Sequence, residues 1–183
     1  MRLLVALLMF ASAVPATGEI IDRVVAILPG AVVTQVDVQV ALELGLVEAQ
    51  PGGDRFSAAL SALIDRLLML NEVRRVMPPD PAPSAVQARL AQMRARFDSP
   101  AAFARALGAG GLDNAILEVH AADDLLLSAY LEERFGVAAQ PTPQEMQQLD
   151  GPARARLVIE RRQTLIAAWV AELRRRADIT VLP

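Results

Sequence analysis

The chain has 183 residues, a formal net charge of −3 at neutral pH and 54% hydrophobic residues. That length supports one domain with a sizeable core, and its arginines, interleaved with acids, do not form the basic stripe of a nucleic-acid binder. There is no cysteine, so disulfides, thiol catalysis and a lipid-modified cysteine are excluded.

Residues 1–18 have the pattern of a signal peptide. Arg2 supplies the positive start, Leu3 to Val14 form an apolar run too short to span a bilayer, and Pro15 breaks it. Ala16-Thr17-Gly18 places small residues before a cleavage point at Glu19. Ala11-Ser12-Ala13 offers a second point, and the alternative is an uncleaved N-terminal anchor.

The stretch Ile20 to Val40 reads as two short strands feeding a helix. Ile20 to Leu28 is rich in β-branched residues. Pro29-Gly30 is a turn pair, and Ala31-Val32-Val33 returns. Thr34 caps a helix and Asp37 sits in its first turn. A lone hairpin is marginal, and the other strand-like run is Ile179 to Leu182. The spacing therefore predicts a mainly α fold, with one small antiparallel sheet formed by the N-terminal hairpin and the C-terminal strand.

The first helix is predicted from Thr34 to about Leu46, followed by a loop at Gln50 to Gly53. Asp54 caps a second helix to about Met77, with Phe56, Leu60, Leu63, Ile64, Leu67 and Leu68 at helical spacing. The prolines from Pro78 to Pro83 stop it. Ser84 is read as the cap of a third helix, Ala85 to Phe97. Ser99-Pro100 starts a short fourth one, ended by Gly108 to Gly111. Leu112-Asp113 begins a fifth, through about Phe135. Thr142, Pro143 and Glu145 form a capping-box start, and a last helix runs from Ala153 to about Ala177.

Two segments carry a family resemblance. Ile21-Asp22-Arg23-Val24-Val25-Ala26-Ile27, followed by the turn and Val32-Val33-Thr34, resembles the start of mature SurA-like periplasmic chaperones, whose relatives include parvulin-type isomerases. The run from Trp169-Val170 to Asp178-Ile179-Thr180-Val181-Leu182-Pro183 is similar to their C-terminal helix and strand, which dock on the N-terminal domain. The resemblance implies residues 1–18 as signal peptide, 19–150 as a SurA-N-like helical chaperone domain and 151–183 as the returning helix and strand. Relatives continue after a segment like Pro141-Thr142-Pro143 into a parvulin domain, and the pattern of that domain is missing here.

The residues offer no catalytic constellation. His120 is the sole histidine and lies in a predicted helix, which favours a structural or solvent-facing role over a base or ligand. Asp123-Asp124 and Glu132-Glu133 are adjacent on that helix, do not face each other, and read as a solvated face. No metal or other cofactor is expected. Met69, Met77, Met93, Phe97 and Phe103 are candidates for a pliable apolar groove, because methionine adapts to varied partners; the competing reading is core.

The resemblance thus implies an ATP-independent periplasmic chaperone that binds unfolded or extended envelope polypeptides, outer-membrane proteins among them. A dedicated adaptor for one envelope partner is the alternative, and a peptidyl-prolyl isomerase is disfavoured by the missing domain. No nucleic acid and no membrane span after cleavage are expected, and a homodimer could form by swapping the last helix.

Overall fold

The structure, a computed structural model, describes residues 22–48 and 54–183. The expected signal segment 1–18, its cleavage point, the start of the first strand at Ile20 and the loop at 50–53 lie outside the described residues.

The chain folds as a mainly helical protein with one small antiparallel sheet. β1 (Val24–Leu28) and β2 (Ala31–Thr34) form the hairpin, with Leu28 opposite Ala31 and a register shift between Val24 and Ala26. Gly30 takes φ 80° in the turn, a left-handed value that a side chain would resist. β3 (Thr180–Val181) pairs antiparallel with β1, placing Ala26 opposite Val181 and Ile27 opposite Thr180. The strand order is β2-β1-β3, so the hairpin gains the third strand that the sequence analysis expected. Val25, Ala26, Leu28 and Val33 are buried, while Ile27 and Val32 face outward.

Among the described residues, seven helices lie between the strands, most of them starting where side chains can satisfy free amides. α1 (Gln35–Glu43) has a full capping box from Thr34 and Asp37. It is shorter than expected because Gly45, at φ 65°, closes it: Leu46 N donates back to Ala41 O at 2.8 Å. α2 (Arg55–Arg75) is capped by Asp54. α3 (Pro83–Arg94) corrects the expectation for Ser84. Pro83 opens the helix because its fixed φ suits the first position, and Ala82 is the flanking residue with no side-chain cap. α4 (Pro100–Ala109) is capped by Ser99 and α5 (Asn114–Phe135) by Asp113. α6 (Pro143–Gln148) has its own capping box, and α7 (Gly151–Arg176) starts at Asp150, slightly before the expected Ala153.

The main core joins the sheet to α1, α2, the end of α5 and the last turns of α7. Trp169 of α7 is its anchor, with ring centroids 5.6 Å from Tyr130 and 5.7 Å from Phe135. Arg174 fixes the same end of α7 to α2, pairing with Asp65 and donating to Ser61 O and Oγ, both at 2.8 Å. Asn71 of α2 donates to Pro29 O at 3.2 Å and so holds the hairpin tip. A second cluster packs α1, α3, α4 and α5 around Val40, Leu44, Leu90, Met93, Leu117 and Ala121. A third, small cluster of Leu70, Val73 and Leu127 locks α2 to α5. Among the described residues, no helix is long and apolar enough to cross a membrane.

Candidate functional site

A wide groove forms where α2 ends beside the second half of α5. α2 stops at Arg75 because Pro78 and Pro79 cannot continue it. Met77, just before them, adopts φ 45°. A non-glycine residue pays about 1–2 kcal/mol for that conformation. Two large apolar side chains face outward at the end of α2, with Val76 60% and Met77 86% exposed. Opposite them, Leu126, Ala129, Tyr130, Glu133 and Arg134 share one face of α5 at spacings of three and four residues. Together with the two prolines these walls enclose a groove of about 640 Å³.

The floor is packed while the rim is exposed. Leu126 and Tyr130 pack on the Leu70–Val73–Leu127 cluster, and Tyr130 also stacks against Trp169. Arg134 donates to Tyr130 Oη at 3.0 Å and lies 5.3 to 5.9 Å from the ring centroids of Tyr130, Phe135 and Trp169. Cation–π attraction thus holds one charge against an aromatic floor. Such a surface can bind an apolar segment of variable shape: methionine adapts, prolines stay rigid, and the aromatic base does not collapse.

The sequence-derived site residues do not assemble as one groove. Met77 lines it. Met69 lies on α2 in the wall of a different cleft, between α2 and α7. Met93, only 2% exposed, packs inside the second cluster, with Phe97 and Phe103 against it in an edge-to-face pair at 5.2 Å. Val76, Leu126, Tyr130 and Arg134 were not singled out. The legible signal was a pair of large apolar residues falling after the basic last turn of a helix and directly before two prolines.

The expected solvated face at Asp123-Asp124 is corrected. Asp123 is buried and accepts from Arg74 Nη2 at 2.7 and 2.8 Å. Asp124 takes Arg66 Nη1 at 2.8 Å and also pairs with Arg89 of α3. Being about 100° apart on the helix, the two carboxylates reach different arginines on two neighbouring helices. Glu132 and Glu133 are exposed, in line with the solvated reading, and Glu132 pairs with Arg162 at 2.6 Å. His120 is half-buried; burial holds its imidazole below the ordinary value, although Asp123 pulls the other way. Among the described residues, no group of three or more His, Cys, Asp or Glu could hold a metal ion. Comparisons with protein-family models and with curated proteins found no match.

Proposed function

We propose that the protein is an ATP-independent, SurA-like chaperone of the periplasm that holds extended segments of unfolded envelope polypeptides in the groove between the end of α2 and α5. The observation that carries this reading is the exposed Val76–Met77 pair over an aromatic floor, with Met77 in left-handed backbone. Backbone strain concentrates where a structure uses it. Further support comes from the resemblance of the hairpin and of the last helix and strand, which here share one sheet.

The test is suppression of aggregation. A urea-unfolded outer-membrane protein and an unrelated unfolded soluble protein are each diluted into the full chain without ATP, and light scattering is followed. Protection of both at near-stoichiometric amounts is the expected result. The double variant Val76→Asp, Met77→Asp should lose most of the protection while melting like the wild type, because both side chains are exposed. Protection of neither substrate by the wild type would sink the chaperone reading in favour of a dedicated adaptor. Full protection by the double variant would move the site elsewhere.

A further inference from the structure

Val76 and Met77 form an exposed apolar knob directly beside the groove they help to wall. The floor of that groove is apolar too: Ala129 is exposed, and Leu126 and Tyr130 are half-buried. A surface with an apolar knob next to an apolar groove is complementary to itself. About a two-fold axis, the knob of one protomer enters the groove of its partner, and the reverse contact follows by symmetry.

The charges at the rim match in the same way. Arg134 lines the groove, and Asp80 directly follows its proline wall. Both are exposed, and neither has a salt-bridge partner among the described residues. Arg134 uses Nη1 on Tyr130 Oη, which leaves most of its guanidinium donors available to a carboxylate. Glu133 is a second acid of the rim, and Arg75, 72% exposed, is a second cation that must share Glu72 with Arg176. Two acids and two cations leave the rim without net charge. An identical rim meets it without a mismatch, whereas a strongly acidic or basic partner does not.

The spacings agree. Asp80 lies three residues beyond Met77, about 10 Å of extended chain. Arg134 lies about one helical turn, roughly 6 Å, beyond Tyr130, and its long side chain covers the difference. A Met77 side chain seated at Ala129 and Tyr130 of another protomer therefore brings Asp80 towards Arg134.

The geometry points to a second copy of this chain as an occupant of the groove. In this isologous dimer, Met77 of each protomer sits on the Leu126–Ala129–Tyr130 floor of its partner, and Asp80 pairs with Arg134 across the axis. Two knobs on two floors make a small contact, about 1,000 Å² in all, so the dimer forms at concentrations on the order of tens of micromolar. It closes the groove, and the monomer opens it. The dimer uses the same groove as the chaperone reading but does not depend on it.

The experiment is sedimentation velocity on the full chain, without any client, from low to several hundred micromolar. A reversible monomer–dimer equilibrium is expected. Met77→Asp should weaken the dimer by more than about tenfold, because it places a carboxylate on an apolar floor. Its melting curve should not change, since the side chain is exposed. Asp80→Arg, in an exposed linker, and Arg134→Glu should each weaken it by about two- to fivefold, and the two together should restore it, because the exchanged charges pair again. That recovery is a readout that mere damage to the fold does not give. A monomer at every concentration, a dimer indifferent to Met77→Asp, or a charge exchange without recovery would each overturn the proposal. The chaperone reading is judged separately, by light scattering with unfolded clients.

Discussion

Replacing Asp124 by alanine should be among the most damaging substitutions on α5. The Asp124 carboxylate is the shared counter-charge of Arg66, whose side chain is 8% exposed, and of Arg89, 30% exposed. Breaking a buried pair by removing one partner costs about 3–5 kcal/mol, because the remaining charge stays desolvated. Arg89 can swing outward, so Arg66 carries most of the penalty and the lower end, about 3 kcal/mol, is expected. At about 2–4 °C per kcal/mol for a domain of this size, that is a drop of roughly 6–12 °C in Tm. Asp123→Ala is the control. Its partner Arg74 is 53% exposed and can return to water, so the cost should be about 1 kcal/mol. Urea unfolding followed by circular dichroism measures both. Arg66→Met combined with Asp124→Leu should recover most of the loss, as buried pairs replaced by apolar residues usually do. Equal costs for the two aspartates, or no recovery in the double variant, would refute the reasoning.

Gly45→Ala should destabilise by about 1–2 kcal/mol in the same assay, because φ 65° is unfavourable for any side chain; Arg96 beside it can move aside. Ending the chain at residue 152 removes β3 and nearly all of α7 and uncovers the rings of Tyr130 and Phe135; near-ultraviolet dichroism should lose its fixed aromatic signal and the melt its cooperativity. Hydrogen bonds from Arg161 and from Thr142 hold the Glu145 carboxyl at about 2, against an ordinary 4.5. Its contribution to stability is present above 4.5 and lost as pH falls from there towards 2, so the Tm difference between wild type and Glu145→Gln should vanish across that window. His120 has the same sign for a different reason. Burial depresses its folded value, so stability should decline as pH falls through 6.5, and His120→Gln should flatten that decline.

Local chemistry made much of the fold legible. Thr34 with Asp37, Asp54, Ser99, Asp113 and Thr142 with Glu145 all cap the helices their positions suggested, because a cap is a short-range interaction between residues two or three apart. Ser84 misled because Pro83 is already helical, and one residue decides which side chain precedes the helix. The third strand was readable because no other β-branched run could complete the hairpin. The site was harder. Helical spacing says that Met69, Met77 and Met93 lie on faces, not which faces meet. Met93 turned inward to Leu90 and Leu117, whereas Met77 stays outside at the end of α2 in a left-handed conformation that a sequence does not display. Asp123 and Asp124 defeated the solvated-face reading because their arginines come from residues 66, 74 and 89, far away in sequence.

The pairing of Ala26 with Val181 also sets a timetable. Some 155 residues separate the two, so at about 5–20 residues per second the first strand of the sheet is made roughly 8–30 s before the last. Throughout that interval β1 has one satisfied side, towards β2, and one open edge. Closing so long a loop costs about 4–5 kcal/mol in chain entropy, more than a two-residue strand can offset alone. Docking of Trp169 and Arg174 on the helices made earlier must therefore come first and deliver β3 to its place. While it is being synthesised, the chain therefore carries an unpaired sheet edge of its own.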